Sequence, residues 1–297
     1  MLSAATLAVC LLVFLLGVGS FQFPRKNACK SNRRQNWLLR RNALYARASG
    51  PGTTAGVLPS TAQLSLVGSG PGDPDLLTVQ ALRLIQSASL VVADRLISPE
   101  ILGLVHCELK IAQKKPGCAE EAQEELYKWM TEALQQGRHV VRLKIGDPFL
   151  FGRGGEEVLF FRKMGVEATI APGISSSYSA PSAANIPLTH RGVSNQVLIS
   201  TGYGRDMSKV DIPTYVSDRT LVLLMAVGRL TEIAANMTTA EMGYPKSTPV
   251  AIVENATTPK QRTILGTLET ISDIAKVQNV KAPATIIVGD VVSVLRL

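Results

Sequence analysis

The stretch VGSGPGDPDLLTVQAL, residues 67–82, sets three glycines and a carboxylate between an apolar run and a helical pattern. A dinucleotide-binding loop needs the spacing G-x-G-x-x-G, so that backbone N–H groups and a helix N-terminus face a pyrophosphate. Gly68 and Gly70 fit the first two positions, but Asp73 stands at the third, where its charge would repel phosphate. The spacing therefore argues against a dinucleotide oxidoreductase. Because no Lys-Ser/Thr pair follows, it also argues against a P-loop.

Five further segments place polar or glycine-rich residues directly after apolar runs. They are ADRLISPEIL at 93–102, VVRLKIGDPFLFGRGGEE at 140–157, APGISSSYSAPSAANIPLTHR at 171–191, LVLLMAVGRL at 221–230 and VENATTPKQRTILGTL at 253–268. In open α/β sheets, ligands bind outside the carboxyl ends of the strands. We therefore expect these loops to share one cleft.

Alternating strand and helix patterns predict the elements that position these loops. The first set has predicted strands at 64–67, 89–93, 108–112, 139–143 and 167–171, with helices at 75–87, 120–136 and from 154. On the second of these helices Leu126, Trp129, Met130 and Ala133 share one face with Ala122, and Gly137 suits the helix stop. This βαβα order predicts a parallel sheet with helices on its faces.

A second set of elements follows the segment APGISS. Its predicted strands lie near 195–200, 220–225, 249–253 and 284–288, and its helices at 174–185, 229–242 and 268–276. The fold class is therefore α/β, with two α/β domains that join near Pro172 and a cleft between them. The predicted organisation is a leader at 1–48, a linker at 49–62, an N-terminal domain at 63–172 and a C-terminal domain at 173–297.

Net charge first suggests a nucleic-acid partner, since the chain of 297 residues carries a formal charge of +8. Eight of the 31 Lys and Arg residues, however, lie within residues 1–49, which contain no acid. The other 23 equal the 23 Asp and Glu, so the remainder of the chain is neutral. The charge therefore does not indicate a nucleic-acid partner for the remainder of the chain.

The basic N-terminal region has two parts that are typical of a targeting leader. Residues 4–19 form an apolar run that is short for a membrane span, which needs about 20 residues, and fits a signal-peptide core. Residues 21–49 are basic, acid-free and contain Ser and Asn, as transit peptides do. Together they resemble the bipartite plastid leader of algae with complex plastids, which leaves no stable membrane anchor in the mature form. Mitochondrial or secretory targeting remains the alternative.

Cysteine and histidine give no sign of a metal site. Cys107 and Cys118 have no CxxC spacing, and His106, His139 and His190 form no ligand cluster with them. We therefore expect neither a zinc site nor an iron–sulfur cluster.

The six segments, taken together and in this order, resemble the tetrapyrrole methylase family from about residue 63 to 295. The motifs VGSGPGDPDLLT and GDPFLFGRGGEE carry most of this specificity. Within the family, the match is closest to members that methylate carbon atoms of uroporphyrinogen III. The resemblance implies S-adenosylmethionine as methyl donor, precorrin-2 as product by way of precorrin-1, a place in sirohaem biosynthesis, and a homodimer.

The family match also implies roles for individual residues. Asp94 matches the proposed proton acceptor and Lys114 the proposed proton donor. The donor-binding positions correspond to Pro71, Ile145, Gly146, Asp147, Leu150, Ser175, Ser176, Met225 and Ala256. The acceptor is a polycarboxylate, so basic residues near the loops are candidate substrate contacts, namely Lys144, Arg153 and Arg191. The reaction needs orientation and a proton acceptor, and it needs neither a metal nor a covalent nucleophile.

Several of these residues also have structural interpretations. Asp94 ends an apolar run and could pair with Arg95, although a carboxylate buried there could gain the raised pKa that a base needs. Asp73 is expected to cap the next helix. Ser175 and Ser176 suit a helix N-terminus, and Met225 could be ordinary core.

Some motif positions depart from the family pattern. Ile145 stands where the family usually has the first glycine of Gly-Gly-Asp-Pro, which would be strained if that position requires a positive φ and tolerable if the side chain only packs. The family's YMG, TGH and ENGT are LMA, TGY and ENAT here, at 224–226, 201–203 and 254–257. Two alternatives to the main interpretation follow: a methyltransferase of the same fold that acts on a corrinoid precursor or ribosomal RNA, or a non-catalytic donor-binding protein.

Overall fold

The computed structural model describes residues 58–111, 119–204, 208 and 211–296, all within one compact unit, Gly56–Leu297. The predicted leader and most of the predicted linker lie outside the described residues, as does Lys114. Within the described ranges no helix is both long enough and apolar enough to cross a membrane.

The first sheet contains five strands that are all parallel, as the βαβα order predicts. In chain order they are β1 (Gln63–Gly68), β2 (Leu90–Ala93), β3 (Glu108–Ile111), β4 (His139–Lys144) and β5 (Ala168–Ala171). Their spatial order is β3-β2-β4-β1-β5. All five strands therefore present their carboxyl ends at one edge, and the loops that follow β1, β2, β4 and β5 leave from that edge.

Helices cover both faces of this sheet. They are α1 (Val79–Ser87), α2 (Pro99–Leu102), α3 (Ala119–Gln135) and α4 (Gly154–Arg162), with a 3₁₀ turn at Pro74–Leu76. Leu126 and Met130 of α3 and Phe161 of α4 are buried against one face, whereas Ala81 and Ile85 of α1 are buried against the other. Helix α3 ends as expected, because Gly137 takes a left-handed conformation with φ 72°. Ala122 belongs to a part of α3 whose side chains are not described.

The second sheet is mixed. Its strands are β6 (Gln196–Thr201), β7 (Arg219–Leu224), β8 (Pro249–Glu254), β9 (Arg262–Thr267) and β10 (Ala284–Val288), in the order β6-β7-β10-β8-β9. Only the β6–β7 pair is parallel. Helices α6 (Leu230–Met237) and α7 (Ile271–Val277) pack on one face, and α5 (Ser176–Ala183) packs on the other.

Two elements were not predicted from the sequence. Helix α2 has a single turn, and Ser98 caps it through a hydrogen bond from Ile101 N–H. Strand β9 is an edge strand in which only Ile264 is buried, so it lacks the alternating apolar pattern that reveals a half-buried strand.

Candidate functional site

Three glycines meet where β1, β4 and β5 end, and we call Gly68, Gly146 and Gly173 the glycine cradle. A Cβ atom added to Gly68 would lie 2.5 Å from the nitrogen of Gly173, and one added to Gly173 would lie 2.1 Å from the carbonyl oxygen of Gly146. Both contacts are with backbone atoms that cannot rotate away. The close approach of these loops therefore requires glycine at 68 and 173.

Gly146 has a different role from the other two cradle residues. It has φ 65° and exchanges two backbone hydrogen bonds with Gly70, N–H to carbonyl at 2.9 and 3.2 Å. An added Cβ there would make an ordinary van der Waals contact, since the nearest atom is Ser175 Cα at 3.8 Å. Ile145 does not take a positive φ, and its side chain packs against the apolar cluster beneath the sheet edge. The departure at Ile145 is therefore a packing change without backbone strain.

Asp147 ties the loop after β4 to the loop after β5. Its Oδ1 accepts hydrogen bonds from the N–H groups of Phe149 and Leu150, at 2.8 and 3.2 Å. Its Oδ2 accepts one from the N–H of Gly173 at 3.1 Å. The carboxylate thus fixes both its own turn and the position of the cradle.

We expect Asp147→Ala to lower the free energy of unfolding by about 1–3 kcal/mol, because three backbone N–H groups lose their acceptor. Asp147→Asn keeps one carbonyl acceptor and should lose less. Urea unfolding of both variants measures the difference, with Asp75→Ala, an exposed position in the neighbouring loop, as the control. An Asp147→Ala variant as stable as the control would contradict this role.

The loop after β8 contacts the loop after β1. Asp73 N–H donates to Thr257 Oγ1 at 3.3 Å, and an added Cβ at Gly72 would meet Thr258 Cγ2 at 2.7 Å. A cavity of about 310 Å³ lies between these loops. Ala256 is buried beside Thr257. Asp73 also caps the 3₁₀ turn by accepting from Asp75 N–H at 2.9 Å, which confirms its predicted capping role.

The conformations of Ser175 and Met225 test the structural interpretations offered for them, a helix N-terminus and a core position. Ser175 is the N-cap of α5, with its Oγ accepting from Ser177 N–H at 3.2 Å, and Ser176 is the first residue of that helix. Met225 directly follows β7, has φ 53° and is 52% exposed, so it is not a core residue.

Asp94 follows β2, and Arg142 on the adjacent strand β4 is one of its partners. Arg142 Nη2 donates to Asp94 Oδ1 at 2.5 Å. The Arg142 side chain is 2% exposed, whereas that of Asp94 is 26% exposed. A guanidinium partner favours the ionised form of a carboxylate. Asp94 is therefore a carboxylate that reaches the surface at the carboxyl edge of the sheet while being held from inside.

Lys144 lies inside the protein. Its Nζ donates to Glu157 Oε1 at 2.9 Å, and burial, followed by the nearby Arg142, lowers the pKa of this ammonium. This placement does not support the prediction that Lys144 contacts a substrate carboxylate, because Lys144 is buried below the sheet edge and forms an ion pair with Glu157. The sequence signal was ambiguous, since a lysine that ends a strand can point either into the protein or out of it.

The two predicted substrate-binding arginines are accessible. Arg153 precedes α4 in a left-handed conformation with φ 59°, is 50% exposed, and donates to Glu156 Oε2 at 2.7 Å. This hydrogen bond raises the pKa of Arg153. Arg191 is exposed in the segment between α5 and β6. Both can offer charge-assisted hydrogen bonds to an anionic ligand.

The structure thus gathers part of the predicted site directly. Gly146, Asp147 and Ser175 lie together at the cradle, with Leu150 held by Asp147. Pro71 lies in the loop after β1, half-buried between Gly70, which pairs with Gly146, and Gly72, which meets Thr258. Met225 and Arg191 belong to the second sheet's part of the chain. Among the described residues, no three His, Cys, Asp or Glu side chains cluster as a metal site would require.

Sequence reasoning missed Arg142 and Glu157 as members of the site. Arg142 lies between Val141 and Leu143 in β4, and Glu157 lies in the first turn of α4. The usable signal was the pair of basic residues two apart in VVRLK, which places both on one buried face of a strand.

The sequence profile described as "Tetrapyrrole (Corrin/Porphyrin) Methylases" matches residues 63–272. A probable uroporphyrinogen-III C-methyltransferase of Schizosaccharomyces pombe is 45% identical over 235 residues, which are 78% of this chain and 47% of that protein. The uroporphyrinogen-III C-methyltransferase of Methanocaldococcus jannaschii is 41% identical over 240 residues, 79% of this chain and 98% of that protein. The chain thus spans about half of the first relative and nearly all of the second.

A solved structure gives a matching result for the fold. The crystal structure of uroporphyrin-III C-methyl transferase from Thermus thermophilus complexed with S-adenyl homocysteine aligns with a TM-score of 0.68 and 37% sequence identity. The alignment covers 78% of this chain and 94% of that one.

Proposed function

Because the chain belongs to the tetrapyrrole (corrin/porphyrin) methylase family, we propose that it methylates carbon atoms of uroporphyrinogen III with S-adenosylmethionine as donor. The product is precorrin-2, formed by way of precorrin-1, on the route to sirohaem. The observation that carries the proposal is the arrangement at the carboxyl edge of the first sheet. There the Asp94 carboxylate, which pairs with Arg142, follows the strand next to the glycine cradle. The loops of the cradle do not have the sequence of a phosphate-binding loop.

The residues at this edge fit the donor. Gly146 has no side chain to hinder a ligand that approaches the backbone, and the two prolines and Asp73 in the loop after β1 disfavour a phosphate. S-adenosylmethionine has no phosphate and carries a positive sulfonium, so an acidic and carbonyl-rich edge suits it. Pro71, Ile145, Gly146, Asp147, Leu150, Ser175, Ser176, Met225 and Ala256 are the proposed donor contacts.

The chain's own residues then orient the acceptor and remove a proton. When bound, S-adenosylmethionine supplies an electrophilic methyl group. Arg153 and Arg191 bind acceptor carboxylates, each such bond contributing about 1.5–3 kcal/mol in a partly closed cleft. After the new carbon–methyl bond forms, the macrocycle carries the positive charge that leaves the sulfonium, and Asp94 accepts the proton that the macrocycle then loses. Lys144 is left out of the acceptor contacts because it is buried, and Lys114 keeps its proposed role as proton donor.

One assay tests this function. The purified chain is supplied with S-adenosylmethionine, and release of S-adenosylhomocysteine is compared with and without uroporphyrinogen III under anaerobic conditions. We expect acceptor-dependent release and a product heavier by two methyl groups. Release only with a corrinoid precursor or with ribosomal RNA would support the same-fold alternative. Tight binding of S-adenosylhomocysteine without turnover on any acceptor would indicate a donor-binding protein.

Targeting and assembly are proposed from the sequence. We propose that residues 1–48 direct the chain to the plastid and that the mature chain is a homodimer without a stable membrane anchor. A fusion of residues 1–62 to a fluorescent protein tests the first part, and mitochondrial or secreted fluorescence would contradict it. Light scattering of the purified chain tests the second, since a monomer mass would overturn it.

A further inference from the structure

Four charged side chains form one connected network under the carboxyl edge of the first sheet, and we call Asp94, Arg142, Lys144 and Glu157 the Asp94 network. Arg142 contacts both carboxylates, and Lys144 contacts Glu157. Arg142 and Lys144 lie two residues apart on β4, so their side chains share the sheet face that α3 and α4 cover. The network is therefore built into the core and does not belong to the exposed surface.

Stability alone is a poor explanation for such a network. Removing charges from water is costly, and buried ion pairs can often be replaced by well-packed apolar residues without loss of stability. The Asp94 network also leaves Glu157 Oε2 buried without a hydrogen-bond partner among the described residues, which adds to its cost. A role in orienting a functional group explains the presence of the Asp94 network better than stability does.

The contacts of Arg142 show how the orientation is achieved. Its Nη1 donates to the carbonyl oxygens of Val92 and Leu143, at 3.2 and 3.0 Å, and its Nε donates to Glu157 Oε1 at 3.3 Å. A planar guanidinium held on these sides cannot rotate, so Nη2 is aimed at Asp94 Oδ1. The backbone carbonyls belong to β2 and β4, the two strands whose ends define the position of Asp94.

Charge balance within the network completes the argument. Two cations face two carboxylates, and Lys144 shares Glu157 with Arg142. The other three side chains are almost fully buried, so the network reaches solvent only through Asp94. Burial alone would lower the pKa of Arg142, but Glu157 and Asp94 reverse this and raise it, so the guanidinium stays charged.

We propose that Arg142, itself held by Glu157 and Lys144, is a positioning residue that fixes the Asp94 carboxylate for proton transfer. The inference deepens the proposed function and rests on it for the identity of the reaction. Arg142 is almost fully buried and acts through Asp94.

A double-mutant cycle tests this role in the full chain. Arg142→Met is expected to lower kcat about 100-fold, the loss that a misplacement of about 1 Å can cause, while leaving the KM for uroporphyrinogen III and the Kd for S-adenosylhomocysteine nearly unchanged. In an Asp94→Asn background the same change should have no further effect, because both act on one step. Arg142→Lys should restore part of kcat. Arg162→Met, which breaks the exposed ion pair with Glu167, is the matched control.

Several outcomes would overturn the proposal. An Arg142→Met effect that persists undiminished in the Asp94→Asn background would show that Arg142 acts elsewhere, and wild-type kcat in Arg142→Met would show that it does not act at all. If Arg142→Met fails to bind S-adenosylhomocysteine and so has not folded, Arg142→Lys and Glu157→Gln replace it. Their effects on kcat are measured in the wild-type and the Asp94→Asn backgrounds. Loss of kcat and of donor affinity in equal measure would then indicate a structural role only.

A separate measurement distinguishes failure of this inference from failure of the proposed function. If the wild-type chain methylates no uroporphyrinogen, the proposed function fails. The contact between Arg142 and Asp94 can then still be tested by a ¹³C NMR titration of the Asp94 carboxyl, whose signal is assigned with Asp94→Asn. Loss of the guanidinium should move the Asp94 titration midpoint to higher pH in Arg142→Met but not in Arg162→Met. An unchanged midpoint would overturn the positioning role.

Discussion

Replacing Asp94 with alanine is expected to lower kcat for methyl transfer to uroporphyrinogen III by a factor of about 10² to 10⁴, the range for loss of a general base. The donor loops lie on other strands, so the Kd for S-adenosylhomocysteine should stay close to that of the wild type. Single-turnover kinetics with saturating donor measure the chemical step directly.

The control for Asp94 is a carboxylate in an exposed ion pair. Asp273→Ala removes the partner of Lys276 on α7, in the second sheet's part of the chain, and should leave kcat unchanged. A full rate in Asp94→Ala would remove the base assignment and, with it, the step that Arg142 is proposed to support.

Gly173→Ala is expected to lower the free energy of unfolding by about 3 kcal/mol and to weaken S-adenosylhomocysteine binding at least about tenfold. The new Cβ would lie 2.1 Å from the Gly146 carbonyl oxygen, and only movement of the backbone can relieve that overlap. Such movement breaks the bond from Gly173 N–H to Asp147 and opens the glycine cradle. Denaturant unfolding and calorimetric titration check the two effects.

Gly155→Ala provides the matched control for stability. Gly155 lies in α4 with nothing within 4 Å of an added Cβ, so alanine should raise the free energy of unfolding by up to about 1 kcal/mol. If Gly173→Ala unfolds like the wild type and binds the donor product equally well, the close contact at the cradle is not required.

The first sheet was predictable because its three central strands, β1, β2 and β4, are buried on both faces and its strands read as short runs between helical patterns. All five of its strands were predicted, and so was their parallel direction, but not their spatial order. The second sheet was less accessible to sequence reasoning. Strand β9 lies at an edge and buries only Ile264, and the antiparallel pairing of β10 with β7 and β8 joins residues far apart in the sequence, which no local pattern encodes.

The site shows the same division between local and long-range information. Turn chemistry correctly marked Asp73 as a cap and Ser175 as a helix N-terminus, because both effects act within a few residues. The partner of Asp94 was not predicted, because Arg142 is 48 residues away and is brought near only when β2 pairs with β4. The burial of Lys144 depends on Glu157 for the same reason.

The glycine cradle also has a consequence for how the chain folds. Strand β1 pairs with β4 from Gln63 to His139 and with β5 from Leu64 to Ala168, so the cradle closes only after more than a hundred residues have been brought together. Pairings at such sequence separation carry a large loop-closure cost and form slowly. A nascent chain that has not yet reached Gly173 can contain β1 and its glycine loop but not the closed cradle. The proposed donor site therefore cannot form before Gly173 has been synthesised, and the β1 edge that pairs with β5 stays unpaired until then.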